Sequence, residues 1–270
     1  MKIGFYQGQG KPTRVDENLE IMRRSARDAV EQGAELIIFP EMFLTGYNIE
    51  DVVFKLAEPA DGPAMRNAAS IAREGNIALL YGYPEKFERN IYNSAILIDR
   101  HGNALANYRK THLFGSYEKG SFQPGDAFVL AKMGELKIGI LICYDVEFPE
   151  AVRTLVFAGA NFIAVPTALM NPYCRIAETV VPTRAYESQV YVAYVNRCGS
   201  EGNLNYCGRS CIVGPDGEDI TRAGLTEGIF IADVTPEAIN AVRAQNPMLS
   251  DNRPELYNAR VKMHGQSVLK

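Results

Sequence analysis

The sequence predicts an α/β fold in a single domain, on three observations. Lys2 to Pro40 reads as strand, helix, strand; Lys137 to Pro166 repeats that order with the same punctuation; and no low-complexity linker divides the 270 residues. A chain of this length is one large domain or two small ones, and it can bury a substantial core. Hydrophobic residues at 47% and charged residues at 22% are ordinary globular values. They argue against a fibre or a disordered chain.

The elements follow from local pattern. Lys2 to Gln7 is an apolar-rich strand, ended by Gly8 and Gly10. From Val15 to Gln32, Leu19, Met22, Ala26 and Ala29 with Val30 fall at helical spacing, and Gly33 stops the helix. Glu35 to Phe39 is the next strand, halted by Pro40, and a right-handed crossover makes the pair parallel. A helix is predicted over Pro63 to Glu74, then strands over Ile77 to Tyr83, Ile91 to Asp99 and Ala104 to Tyr108, with a hairpin turn at Asp99 to Gly102. Leu136 to Ile142 is a near-continuous Leu and Ile run, the pattern of a strand covered on both faces, and the polar cluster before Pro149 starts a helix. Further on, Arg175 to Ser188 reads as a helix and Val190 to Asn196 as a strand. Tyr206 to Val213 and Gly228 to Val234 read as strands flanking a Pro215-Asp-Gly217 turn, and Pro236 to Ala244 as a last helix. Residues 246–270 form a polar tail with scattered apolar anchors, expected to fray or to dock at a subunit interface.

The repeat is visible residue by residue. Lys137-Ile-Gly echoes Lys2-Ile-Gly, and Gly159-Ala-Asn-Phe-Ile-Ala-Val-Pro166 echoes Gly33-Ala-Glu-Leu-Ile-Ile-Phe-Pro40. Glu41 and Thr167 then occupy equivalent places. Two halves facing each other would bring strand ends from both into one cleft.

Charge and composition exclude several classes. The net charge of -4, from 28 basic and 32 acidic side chains spread along the chain, offers no basic stripe for nucleic acid. The longest apolar stretch, Leu155 to Met170, is broken by Gly159, Asn161 and Pro166 and is too short to span a bilayer. Met1-Lys-Ile-Gly-Phe begins as a strand without a signal-peptide core, so a cytoplasmic location is expected. Five cysteines, an odd number, favour a reducing compartment over a disulfide framework. Cys198, Cys207 and Cys211 lie fairly close, but histidines at 101, 112 and 264 offer no pairing for zinc, and no metal is expected.

Three chemistry-bearing residues stand at the ends of predicted strands: Glu41, Lys110 and Cys143. A lone buried cysteine is most often a small hydrophobe. A cysteine that attacks does so as thiolate and needs a positioned base. His112, two residues beyond Lys110, is the first candidate; Glu41 is the other, if a dry pocket raises its proton affinity. Lys110 with a backbone amide at the elbow would hold a tetrahedral oxyanion. Cys174 comes with no base in its context and is not assigned a catalytic role.

Phe39-Pro-Glu41-Met-Phe, Tyr108-Arg-Lys110-Thr-His-Leu and Cys143-Tyr-Asp-Val-Glu-Phe-Pro-Glu150 resemble, in that order, the three catalytic segments of the nitrilase superfamily of carbon–nitrogen hydrolases. The resemblance runs on through Arg184 to Gln189, Tyr191 to Asn196 and Asn252 to Tyr257. It implies one domain over 1–270, a four-layer αββα sandwich, with Glu41 as general base, Cys143 as nucleophile and Lys110 as stabiliser of the oxyanion. Glu118 matches a second glutamate that positions substrate or assists proton transfer, and the Tyr144 amide would complete the oxyanion hole. The family implies a homodimer or larger homo-oligomer. The two-step thioester chemistry needs no metal and no organic cofactor.

Cys143-Tyr-Asp145, where nitrilases of the superfamily carry Cys-Trp-Glu, resembles the amidase side. Relatives acting on carboxylate-bearing substrates often have Arg where this chain has Glu147, and Glu would attract an amine instead. The expected substrate is a small primary amide, neutral or amine-bearing. N-carbamoyl amines, an omega-amidase-like substrate, and a silent amide-binding module are the alternatives. Met170, Asn171, Tyr173 and Tyr47 are expected at the pocket mouth.

Overall fold

The structure is a computed structural model that describes residues 1–257 and the short paired strands Lys262–Met263 and Gln266–Ser267. The remaining tail positions lie outside the described residues. In chain order the main elements are β1 (Lys2–Gln7), α1 (Val15–Glu31), β2 (Leu36–Ile38), α2 (Val53–Leu56), α3 (Pro63–Gly75), β3 (Ala78–Phe87), β4 (Asn90–Ile98), β5 (Ala104–Arg109) and α4 (Gly115–Ser121). There follow β6 (Val129–Met133), β7 (Leu136–Ile140), α5 (Pro149–Phe157), β8 (Phe162–Pro166), α6 (Val181–Ser188), β9 (Tyr191–Val195), β10 (Ser200–Glu201), β11 (Leu204–Asn205), β12 (Cys211–Val213), β13 (Asp219–Arg222), β14 (Gly228–Asp233) and α7 (Pro236–Gln245).

Two six-stranded mixed sheets result, β14-β1-β2-β3-β4-β5 and β6-β7-β8-β9-β12-β13. Each runs through the same pairings from its first edge: antiparallel, parallel, parallel, and antiparallel twice, although β14 is the last strand in chain order of these two sheets and β6 precedes β7. The internal repeat is therefore an architectural one. Its details recur too: the Glu35 amide donates to the Lys2 carbonyl and the Asn161 amide to the Lys137 carbonyl.

Side-chain alternation along the first sheet separates its faces. Ile3, Phe5, Leu36, Ile38, Leu80 and Leu97 join the core shared with the second sheet. Ile37, Phe39, Leu79, Tyr81, Ile96 and Ile98 face α1 and α3. Period two applied to strands with both faces covered makes every position apolar, as the strand sequences are. The second sheet is covered by α5 and α6 through Val152, Leu155, Val181 and Ala185. The order of layers is helix, sheet, sheet, helix, the αββα sandwich.

Several elements depart from the sequence reading. Tyr206 to Val213 is not one strand: Gly208 and Arg209 both take positive φ (58°), which breaks it and leaves only Cys211–Val213 in the sheet. The partner of β12 is the polar edge strand β13, which has no apolar alternation to reveal it, and Gly228–Asp233 crosses over to pair with β1. The predicted helix from Arg175 opens as a π turn, Ile176–Val180, before α6, where Pro182 can offer no amide to the preceding turn. The expectation of free cysteines also fails at one pair. Cys174 and Cys207 are joined as a disulfide, because the loop after β8 is laced to the segment before β12 by Asn171 N to Asn205 O and Cys207 N to Leu169 O. Cysteine spacing cannot disclose that meeting.

Candidate active site

Each half delivers one arm of the site from the carboxyl end of its strands. After β2 and Pro40, Glu41 sits wholly buried in a turn whose next residue, Met42, has a φ of 50°. After β7, Ile142 is still extended and Cys143 reverses the chain with a φ of 47°. A non-glycine residue in the left-handed region costs about 1–2 kcal/mol. Both turns are therefore held by their surroundings. The two are stitched together where the Glu41 amide donates to the Thr167 carbonyl at 3.3 Å.

Asp145 does most of the holding at the Cys143 turn. Its buried carboxylate accepts from the Ile142 amide (2.9 Å), the Tyr108 hydroxyl (2.8 Å), the Thr111 hydroxyl (3.0 Å) and the His112 amide (2.9 Å), and lies 2.8 Å from His112 Nδ1. This ties the cysteine turn to the segment carrying Lys110. The His112 ring, bonded to Asp145 and stacked on Phe148 at 4.0 Å, is a brace for that turn. Of the two candidate bases, the structure engages His112 elsewhere.

Lys110 leaves β5 with its amide on the Asn93 carbonyl at 2.8 Å. Period two sends its neighbour the other way: Arg109 is bonded to Glu85 and lies between the Phe87 and Tyr92 rings. The Lys110 ammonium is fully buried. It donates to Glu41 Oε1 at 2.7 Å and to Glu118 Oε1 at 2.6 Å. Asn93 Nδ2 also donates to Glu41 Oε1, at 2.7 Å, whereas Glu41 Oε2 has no partner. Glu118, on α4, accepts further from the Tyr47 hydroxyl (2.7 Å) and the Phe114 amide (2.8 Å).

The electrostatics follow from burial and from two carboxylates sharing one ammonium. Burial pushes Glu41 up; Lys110 and Asn93 oppose this and Glu118 adds to it, and the net direction is upward. Burial alone would depress Lys110, but Glu118 and Glu41 hold it well above its ordinary value. Burial also raises the Cys143 thiol, with Glu41 acting the same way and Lys110, the Thr167 hydroxyl and the Ala168 amide acting against it. Cys143 is surrounded by protein yet keeps a solvent-touched edge, as a residue on the floor of a cleft does. A thiol that prefers its proton, beside a carboxylate with one free oxygen, is suited to proton transfer during attack.

The other residues singled out from sequence lie around this centre at different depths. Tyr47 is not at an open mouth: it is 5% exposed, beneath Glu118. Met170 is half-buried against the cluster that holds Met42 and Tyr47. Asn171 is exposed, donating to the Asn205 carbonyl. Tyr173 is exposed and makes an edge contact with Phe114, which meets Tyr144, which meets Phe148. Glu147 ends the turn begun by Cys143, half-buried. Burial raises its carboxyl, with Lys110 and Arg184 opposing. Sequence reasoning missed Asn93, Asp145 and Arg197. Asn93 and Arg197 were detectable only as polar residues within or just after buried strands. No His, Cys, Asp and Glu grouping suited to a metal occurs among the described residues. Two surface cavities, about 470 Å³ between α1 and β14 and about 530 Å³ beside Met1 and His101, are lined by none of these groups.

A four-layer αββα sandwich thus gathers a thiol, a carboxylate and an ammonium at the ends of its strands. The carbon-nitrogen hydrolase family model matches residues 2–244. A hydrolase in the pqqF 5′ region of Pseudomonas protegens is 46% identical over 261 residues, covering 96% of this chain and 91% of its own. An (R)-stereoselective amidase from Pseudomonas sp. is 34% identical over 254 residues, covering 94% and 92%. Among solved structures, an amidase from Nesterenkonia sp. AN1 superposes with a TM-score of 0.86 at 33% identity, covering 95% of each chain; there the active-site cysteine carries the acetamide moiety of fluoroacetamide. The chain belongs to the carbon-nitrogen hydrolase family, the nitrilase superfamily, on its amidase side. Its class is that of hydrolases acting on carbon–nitrogen bonds other than peptide bonds.

Proposed function

We propose that this protein hydrolyses a small primary amide to its carboxylic acid and ammonia through a thioester on Cys143. One observation carries the reading: a fully buried Lys110 bonded to both Glu41 and Glu118, with the second oxygen of Glu41 unpartnered. In this mechanism Glu41 takes the thiol proton as sulfur attacks the amide carbon. The oxyanion is met by the Lys110 ammonium and the Tyr144 amide, the kind of preorganised stabilisation that contributes most in acyl transfer. Glu41 returns the proton to the leaving nitrogen and ammonia departs. Glu41 then deprotonates water, which hydrolyses the thioester and restores the thiol. Glu118 orients Lys110 and the amide.

An amine-bearing substrate is favoured by the state of Glu147. The nitrogens of Arg184 are committed to the Val146 carbonyl, the Glu147 carbonyl and Glu187, each at 2.9 Å. The Glu147 carboxylate itself has no hydrogen-bond partner among the described residues and remains free to receive an ammonium. Met170, Asn171 and Tyr173 complete the substrate surroundings.

The test is ammonia release from a panel of primary amides, with Cys143→Ala as control, and mass spectrometry of the acyl group left on Cys143. Carbon dioxide appearing with ammonia would identify an N-carbamoyl substrate. No turnover across the panel by the folded protein would favour a silent binding module. Preference for a dicarboxylic monoamide over an α-amino amide would retire the role given to Glu147.

A further inference from the structure

We propose that Arg197 and Glu201 are a buried positioning pair that holds the Glu41 turn in register with Glu118. This rests on the reading of Glu41 as base. Arg197 lies two residues beyond the end of β9 and is 1% exposed, a place that an arginine occupies only when its donors and charge are matched. Its Nε donates to the Glu41 carbonyl at 3.1 Å, its Nη2 to the Met42 carbonyl at 2.6 Å, and its Nη1 to the Gln9 carbonyl at 2.8 Å. The guanidinium therefore grips the peptide carbonyls on both sides of the left-handed Met42. A planar fork can do this; a lysine ammonium, a single point of charge, cannot.

The counter-charge is Glu201, whose Oε2 lies 3.7 Å from Arg197 Nη1, both side chains being buried. Glu201 reaches further. It accepts from the Tyr47 amide (3.3 Å), the Asn48 amide (3.0 Å) and the Tyr206 hydroxyl (2.7 Å). Gly46 makes room for it, since a Cβ there would lie 2.6 Å from Glu201 Oε1. The Tyr47 hydroxyl donates to Glu118, and Glu118 with Glu41 holds Lys110. A closed circuit results: Arg197, the Glu41 turn, Lys110, Glu118, Tyr47, Glu201 and back to Arg197. Residues from both halves set the spacing of the two carboxylates, although Arg197 and Glu201 act only through others.

The test compares wild type with Arg197→Lys and Glu201→Gln by the pH dependence of Cys143 alkylation by iodoacetamide, and by kcat and KM on the best amide of the panel. With native circular dichroism, Arg197→Lys is expected to alkylate about tenfold more slowly at neutral pH, with a displaced pH profile, since small misplacements of a catalytic group are costly. Its kcat per alkylatable site falls by a similar factor while KM stays within about twofold. Glu201→Gln moves both readouts the same way, less far. A lowered melting temperature with unchanged alkylation profile and unchanged kcat per site would overturn the proposal, leaving the pair a role in stability alone. Should Arg197→Lys fail to fold, Glu201→Gln decides on the same readouts. Alkylation needs no amide turnover: a protein inert to every amide but with the displaced profile would sink the substrate reading and keep this one.

Discussion

At the scale of single residues, Glu41 is where burial and chemistry oppose each other. Its carboxyl is raised, so the base form is lost at a higher pH than for an ordinary carboxylate near 4.3. The acid limb of kcat/KM is therefore expected above that value, and a limb at or below it would contradict the environment described for Glu41. The sign for stability is the reverse of a salt-bridged surface acid. A folded-state pKa above the unfolded one means that Glu41 stabilises most at low pH and that its contribution is lost as pH rises through the folded pKa. Glu41→Gln is thus expected to lower turnover by about 10²–10⁴-fold while leaving the melting temperature at neutral pH equal to or above wild type. A marked drop in melting temperature would mean that the Lys110 pair outweighs the burial cost. Cys143→Ala should abolish ammonia release with little change in stability. Glu41, Lys110 and Cys143 were legible because each ends a strand within a recognisable local run. Asn93, Asp145 and Arg197 were not, because their importance comes from partners far along the chain.

At the scale of elements, the site depends on close backbone approach. Gly82 in the middle of β3 lies beneath the Glu41 turn: a Cβ there would sit 2.4 Å from the Met42 nitrogen and 2.8 Å from the Glu41 Cα. Gly82→Ala must push the turn away, at a cost of about 1–3 kcal/mol by overpacking, and should reduce kcat beyond what unfolding explains. Equilibrium denaturation with kcat per alkylatable Cys143 checks this; a stable, fully active variant would show the turn to be movable. Strand and helix existence was read well from periodicity where both faces are buried, as in β1, β2, β7 and β9. It failed for β13, whose exposed polar residues carry no alternation, and for α4, whose Gly115-Ser-Tyr-Glu-Lys-Gly-Ser121 lacks an apolar stripe.

At the scale of the whole molecule, the repeated pairing order gives two sheets that share one core, so each half lends the other a face. Ile38→Ala, removing an inner-layer side chain with no solvent exposure, is expected to cost about 2–5 kcal/mol in denaturant unfolding without altering kcat of the folded fraction. The repeat itself was visible in short matched runs such as Lys2-Ile-Gly and Lys137-Ile-Gly. The crossing of β14 to the first sheet was not, since nothing local distinguishes a strand that pairs with its neighbour from one that pairs with β1. The disulfide between Cys174 and Cys207 was hidden for the same reason.

Two acids and one base enclosed together leave the chamber with a surplus of one negative charge when all are ionised. An amine-bearing amide enters as a cation drawn to walls of opposite sign, whereas the acid made from it carries a carboxylate beside its ammonium and departs with that attraction cancelled. Turnover should accordingly be little slowed by accumulated acid, and progress curves run with that acid added at the start would reveal any tighter hold.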